Sequence, residues 1–271
     1  MRKIEKKINP CRIKNLSLFC SFLLFFVFFY TFLGKNDRFF ETIVEKNINE
    51  SFIPGEVLFY KISYGKKNRA KGLISAGHAK LSVKTDSLNN YIFEASGKTT
   101  KLFSLFMKVE HKYTSVVDPK TMKSIWSKMS IKEGEYSNSD SIRFSNQLFP
   151  ETPEINDILS TAYKLRATDR ETVLEADTLF FSYYYNGQSF PSYIVKLGRE
   201  IIKTRFGKIQ SAKWSPLLEK GRVFRDTTGA IVWTTSGPMH IPLKIELPIL
   251  VGSIYVTLAS YKGTPCNLSN N

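Results

Sequence analysis

From Pro54 to about Tyr261 the apolar residues recur at every second position, a period that commits this part of the chain to strands. In "EVLFYKISYG" Leu58, Tyr60, Ile62 and Tyr64 share one face, with Lys61 and Ser63 on the other. "GKKNRAKG" reads as a basic hairpin loop. The return strand "LISAGHAKLSV" sets Leu73, Gly77, Ala79, Leu81 and Val83 on one face, and His78 falls opposite with Ala76, Lys80 and Ser82 as a solvated strand residue. Further strands are predicted at Tyr91–Gly97, His111–Val117, Ser124–Ile131 and Glu135–Phe144, with one or two helical turns in "TKLFSLFMKVE". Thirteen Tyr and twenty-one Phe suit such a sheet.

One segment breaks the period. In "TPEINDILSTAYKLR" Thr152 can cap a helix, Pro153 suits its first position and Glu154 favours the positive end of the dipole. Ile155, Ile158, Leu159, Ala162 and Leu165 then form an apolar stripe, so a helix from Glu154 to Arg166 is predicted, packed on the sheet. The expected fold is mainly β: a single antiparallel curved sheet or half-barrel of about ten to twelve strands with one packed helix, after an N-terminal membrane helix. The stripe covers roughly 15 Å, whereas ten strands span roughly 45 Å, so one helix cannot close the concave face. Side chains, a partner or a lipid must fill the remainder.

The membrane helix is read from the first 34 residues. Arg2, Lys3, Lys6, Lys7, Arg12 and Lys14 precede "LSLFCSFLLFFVFFYTFL", which runs from Leu16 to Leu33 without a charge. This pattern is an export signal or an anchor with its basic end in the cytoplasm. A retained anchor would hold the rest facing the periplasm; a cleaved signal would leave a periplasmic protein. The expected organisation is a leader over 1–34, a linker over 35–53, the β domain over 54–262 and a disordered tail over 263–271. Cys11 and Cys20 fall in the leader, and Cys266 alone cannot form an internal bridge, so the core must hold the fold. The net charge is +15, of which +10 belongs to residues 35–271. Such a balance in an exported domain fits anionic lipid or glycan better than nucleic acid.

"WTTSGPMHIPLKIE" brings Ser236, His240 and Glu246 close in sequence. A hairpin closing on Gly237–Pro238–Met239 sets Ser236 across from His240. Glu246, however, is six residues along the same strand from His240, roughly 20 Å, which no triad spans. His111 and Glu110 are neighbours that point to opposite faces of a strand and make a poor metal pair. With no phosphate loop, HExxH or CxxC, the expectation is a non-enzyme with no catalytic, metal or cofactor site.

"GEVLFYKISYG", "ISAGHAKLSV", "DILSTAYKLR", "GREIIKTRFGKIQSAKWSP" and "IVWTTSGPMHIPLKIELPILVGSIYVTL", in that order, resemble the exported bacterial domain of unknown function 3108 family. The resemblance implies an architecture similar to the periplasmic lipoprotein carriers, whose incompletely closed antiparallel sheet carries helices over its concave side. It implies no catalytic residues.

The expected function is a non-enzymatic cell-envelope protein binding a lipid, lipoprotein or other amphiphile in a sheet cavity. The alternative is a structural or interaction module with a filled core. Lys66, Lys67, Arg69 and Lys71 are candidate contacts for anionic headgroups. Four of the eight aspartates open Asp-Ser/Thr triplets that resemble a periplasmic O-glycosylation signal, at Ser87, Ser141, Thr178 and Thr227. Asp-Ser/Thr pairs also mark ordinary turns.

Overall fold

The computed structural model describes residues 51–66, 73–145, 155–168, 178–218, 227–264 and 268. The predicted span Leu16–Leu33 lies outside them, and no helix among the described residues is long and apolar enough to cross a membrane.

Among the described residues thirteen strands form one sheet. Its first half is β1 (Val57–Gly65), β2 (Ile74–Thr85), β3 (Tyr91–Thr99), β4 (Val109–Val117), β5 (Ser124–Glu133) and β6 (Tyr136–Arg143). A two-residue β7 (Asn156–Asp157) leads directly into helix α1 (Ile158–Ala167). The second half is β8 (Thr178–Tyr185), β9 (Gln188–Thr204), β10 (Gly207–Pro216), β11 (Ile231–Thr235), β12 (Pro242–Pro248) and β13 (Ser253–Lys262). The order is β6-β5-β4-β3-β2-β1-β13-β12-β11-β10-β9-β8-β7: two meanders joined where β1 pairs with β13. All pairs are antiparallel except β7 with β8, so the sheet is mixed and one strand larger than the expected range.

The edges of this open sheet meet. Tyr184 Oη donates to Asp140 Oδ2 (2.7 Å), and Asn138 Nδ2 donates to Asn186 Oδ1 (2.9 Å), joining the β8–β9 hairpin to β6. Asn186 and Gly187 carry the positive φ (47° and 86°) that a tight hairpin requires, which aims the Asn186 amide outward from the turn. Asn156 substitutes for a strand neighbour: its Oδ1 accepts from Ser124 N (2.8 Å) and its Nδ2 donates to Met122 O (2.8 Å). Terminal strands in contact at both ends of a thirteen-strand order require the sheet to curl almost into a barrel. Five bulges assist, because each increases local twist. The bulge between Ile62 and Ser63 also turns Ala76 inward while His78 stays exposed, contrary to strict alternation.

Helix α1 starts later than the sequence predicts. Asn156 and Asp157 are extended, and Asp157 is the cap, accepting from Leu159 N (2.9 Å) and Ser160 N (3.2 Å) through Oδ1. Ile155 therefore precedes the helix, and Thr152, Pro153 and Glu154 lie outside the described residues. The other Asp157 oxygen accepts from the hydroxyls of Ser115, Ser124 (2.9 Å) and Ser160 (2.8 Å). One buried carboxylate thus holds β4, β5, β7 and α1 together. On the helix flank, Tyr163 stacks on Phe93 (4.0 Å between centroids) and meets Phe52 edge-on (5.2 Å). Phe52, within the expected linker, is fully buried, and Leu268, within the expected tail, is 1% exposed with its N–H on Tyr261 Oη (2.9 Å). Both segments are pinned to the domain at these residues.

Candidate functional site

Inside the curl, between α1 and the sheet, lies a cavity of about 270 Å³. One wall is the apolar stripe of the helix: Ile158, Leu159, Ala162 and Leu165. The opposite wall comes from both meanders and includes Ile62, Leu81, Leu179, Ile194, Trp214 and Val256. Ala162 stays exposed and Leu165 half-buried, although the curved sheet surrounds the helix. Ile158 and Leu159 are buried in the core as the amphipathic spacing predicts, whereas the later part of the stripe, Ala162 and Leu165, borders the cavity.

Most polar side chains around the cavity are engaged elsewhere. Thr161 Oγ1 donates to Asp157 O (2.8 Å), Thr168 Oγ1 to Lys164 O (3.2 Å) and Tyr60 Oη to Pro242 O (3.0 Å). Trp214 Nε1 donates to Thr234 Oγ1 (3.2 Å). A lining of this kind offers shape and apolar surface, with little directed hydrogen bonding.

The floor is ionic. Arg166 Nη1 and Nη2 donate to Glu56 Oε1 (2.7 Å) and Oε2 (2.9 Å), Nη2 also to Ser51 O (3.0 Å), and Nε to Met239 O (3.2 Å). The guanidinium lies 5.5 Å from the Phe52 ring centroid and 5.1 Å from that of Tyr163. His240 Nδ1 is 2.7 Å from Arg166 O. Burial pulls the Arg166 pKa down, but the Glu56 charge and hydrogen bonds outweigh it and move it upward. Burial pushes the hydroxyls of neighbouring Tyr60 and Tyr163 far above the ordinary tyrosine range, although the Arg166 charge opposes it.

Residues 60–259 match the model of DUF3108, described as a protein of unknown function. The chain belongs to the DUF3108 family. Every residue that lines the cavity, from Tyr60 to Val256, falls within the matched stretch of this DUF3108 chain, whereas Glu56 and Phe52 lie just before it. No curated protein matches the sequence. Among solved structures, the β-barrel-like protein of domain of unknown function DUF1849 from Brucella abortus is similar, with a TM-score of 0.43 and 8% identity. The similarity covers 78% of this chain and 97% of that one.

In the DUF3108 domain the residues singled out by sequence are scattered. Lys66 is exposed at the end of β1, its carbonyl accepting from Tyr255 Oη (2.9 Å); Lys67, Arg69 and Lys71 lie outside the described residues. Ser87 is exposed on the β2–β3 turn, where Asp86 Oδ1 accepts from Leu88 N (2.8 Å) and Asn90 N (2.9 Å), an Asx turn. Ser141 lies in β6 and its Oγ accepts from Trp126 Nε1 (3.0 Å). Thr178 opens β8 and Thr227 precedes β11, both half-buried. Asp177 and Asp226 are not among the described residues.

The β11–β12 hairpin sets Thr234 opposite Pro242, as expected, but a bulge then places Trp233 opposite Lys244. His240 adopts φ 42°, and its ring bonds to Arg166 O on the helix. Ser236 Oγ is buried with no hydrogen-bond partner among the described residues, and Glu246 pairs with Ile231 at the far end of β12. The three residues form no triad.

The sequence reading missed Glu56, Arg166 and Glu133 and weighed His111 only against Glu110, yet each carries a signal. Glu56 has the parity of buried Leu58, Tyr60 and Ile62, and Arg166 lies on the helical face of Leu159 and Tyr163. His111 shares the parity of Tyr113, and Glu133 that of Ile131. His111 Nε2 is 3.0 Å from Glu133 Oε1, both buried, though not aligned as a hydrogen bond.

Proposed function

We propose that this domain is a non-enzymatic cell-envelope protein that receives the apolar part of a lipid, lipoprotein or other amphiphile in the cavity. The observation that carries the reading is an apolar space of about 270 Å³ bordered by helix residues Ala162 and Leu165, which stay unburied although Ile158 and Leu159 on the same stripe are buried. It is nearly twice the roughly 150 Å³ apolar cavity known to stay dry and admit benzene, and near the lower end of ligand pockets at about 300 Å³. A well-packed core leaves few voids larger than a water molecule, so the filled-core interaction module is the weaker reading. Engaged polar groups around the cavity favour an acyl-like guest whose polar head stays outside. The leader supports a place at the inner membrane facing the periplasm, or in the periplasm if the leader is removed.

The test is mass spectrometry of organic molecules that copurify with the full chain, together with titration of a fluorescent fatty acid. Saturable binding lost in Ala162→Phe, a substitution directed into the cavity, is the expected result. No copurifying amphiphile and no saturable binding would return the domain to the interaction-module reading.

A further inference from the structure

We propose that the turn between β3 and β4 docks the domain on an anionic phospholipid bilayer. Leu102, Leu105 and Phe106 are 65%, 80% and 80% exposed, an unusual density of bare apolar surface on one short turn. The turn is firmly held. Phe103, between the exposed residues, and Met107, just after them, are 8% exposed each and belong to the core. Thr100 Oγ1 donates to Ser75 O (3.2 Å) and accepts from Phe103 N (3.2 Å), while Phe106 N and Met107 N both donate to Phe103 O (3.0 Å each). The fold therefore presents these three side chains outward on an ordered support.

Other exposed apolar residues lie at the same end of the sheet. Ile74 begins β2, beside the Ser75 carbonyl that holds Thr100, and is 53% exposed. Val251, on the β12–β13 turn, is 68% exposed, and its carbonyl accepts from Tyr64 Oη (3.0 Å) at the end of β1.

The charges around the turn choose the partner. Lys101 and Lys108 bracket the apolar residues, and Lys98 and Lys132 lie at the adjoining strand ends, all exposed. Glu110, held by Lys112 (2.7 Å), and exposed Glu135 on the β5–β6 turn offset part of this charge, and Glu133 is buried beside His111, so lysines remain in excess around the turn. Apolar side chains projecting from a ring of lysines match the interface of a bilayer with anionic headgroups, where the lysine stems can lie along the apolar layer.

The leader joins the opposite end, since Ser51 bonds to Pro238 O at the β11–β12 turn. The sixteen residues between Gly34 and Ser51 reach at most about 55 Å, more than the roughly 40 Å length of β2, so both ends can serve one membrane. The docking surface does not depend on what the cavity holds. Its anchors nevertheless share a core cluster with Ile62, and Ile62 lines the cavity.

The experiment is hydrogen exchange by mass spectrometry on the full chain, reconstituted in vesicles of equal parts phosphatidylglycerol and phosphatidylcholine or of phosphatidylcholine alone. Residues 100–108 are expected to exchange several-fold more slowly in the anionic vesicles, with the difference lost at high salt. Leu105→Asp with Phe106→Asp, and separately Lys101→Glu with Lys108→Glu, should each remove the protection. Peptides from β3 and β13 must be unchanged, which separates lost docking from lost folding. Equal exchange in both vesicles, or protection that survives the aspartate substitutions, overturns the proposal. Fatty-acid binding is read separately in the same variants, so failure here leaves the cavity reading intact.

Discussion

Replacing Arg166 by Met isolates the energetic role of the cavity floor. Methionine retains most of the apolar stem between Phe52 and Tyr163 but removes four donated hydrogen bonds. The Glu56 carboxylate, with no exposure to solvent, loses its counterion. Breaking a buried ion pair from one side costs about 3–5 kcal/mol, because the surviving charge can neither hydrate nor pair. Stability of natural domains is about 5–15 kcal/mol, so about a fifth or more should disappear. Glu56→Leu should cost a similar amount by stranding the guanidinium. The double variant leaves only the carbonyls of Ser51 and Met239 short of a donor, at roughly 1–3 kcal/mol each, and these can find water more readily than a charge can.

The expected signature is therefore a coupling: the double variant should be more stable than the sum of the single losses implies by about 3 kcal/mol or more. Urea unfolding of the full chain in mild detergent, followed by tryptophan fluorescence, measures it. Single losses below about 1 kcal/mol, or additive losses, would refute the reasoning, since the pair would then behave like a solvated surface bridge.

Three further outcomes are expected. Asp157→Ala removes a helix cap worth about 0.5–2 kcal/mol and the shared carboxylate acceptor of Ser115, Ser124 and Ser160, of which Ser124 and Ser160 keep each other, so exchange should rise first in β7 and α1, as hydrogen-exchange mass spectrometry would show. Alkali should destabilise the fold: burial raises the hydroxyl pKa of Tyr60 and Tyr163, and that of Tyr185 to about 12, above the unfolded value near 10. Their neutral forms thus support folding below about pH 10, and each can cost up to about 1.4 kcal/mol per pH unit above it until its folded pKa is reached, a loss readable in urea midpoints. Ala162→Phe should lower fluorescent fatty-acid affinity by about tenfold or more while shifting the urea midpoint little, because the added ring enters existing space.

Strand identity and the helix were legible because period two and period 3.6 are local properties of the sequence. The closure of the sheet was not. It depends on Asn138 meeting Asn186 and Asp140 meeting Tyr184, pairs 48 and 44 residues apart whose side chains read as ordinary turn and edge residues. The helix start was misplaced because Thr152-Pro153-Glu154 spells a good N-terminus, whereas Asp157 gains three serine hydroxyls that only the folded sheet supplies. The cavity was legible as a shortfall: one short stripe against a wide concave face. Its floor was concealed because Glu56 and Arg166 are 110 residues apart and each alone resembles a surface charge.

The polar devices explain why the apolar space can persist. A sheet held closed only by its core would relax inward around any void, since lining atoms without partners forfeit dispersion contacts. Here the curvature is fixed by polar side chains and not by the apolar lining. Asp157 ties α1 to β4 and β5, Arg166 ties its other end to Glu56 and the β11–β12 turn, and side-chain amides join the sheet edges. Both ends of the helix are thus fastened by buried carboxylates, which holds its apolar face away from the far wall. Collapse would require breaking those bonds in a dry interior, where each stranded polar group costs more than the contacts a closer wall could restore. The space is therefore a consequence of where the charges are buried, and the proposed guest would not require the fold to open one.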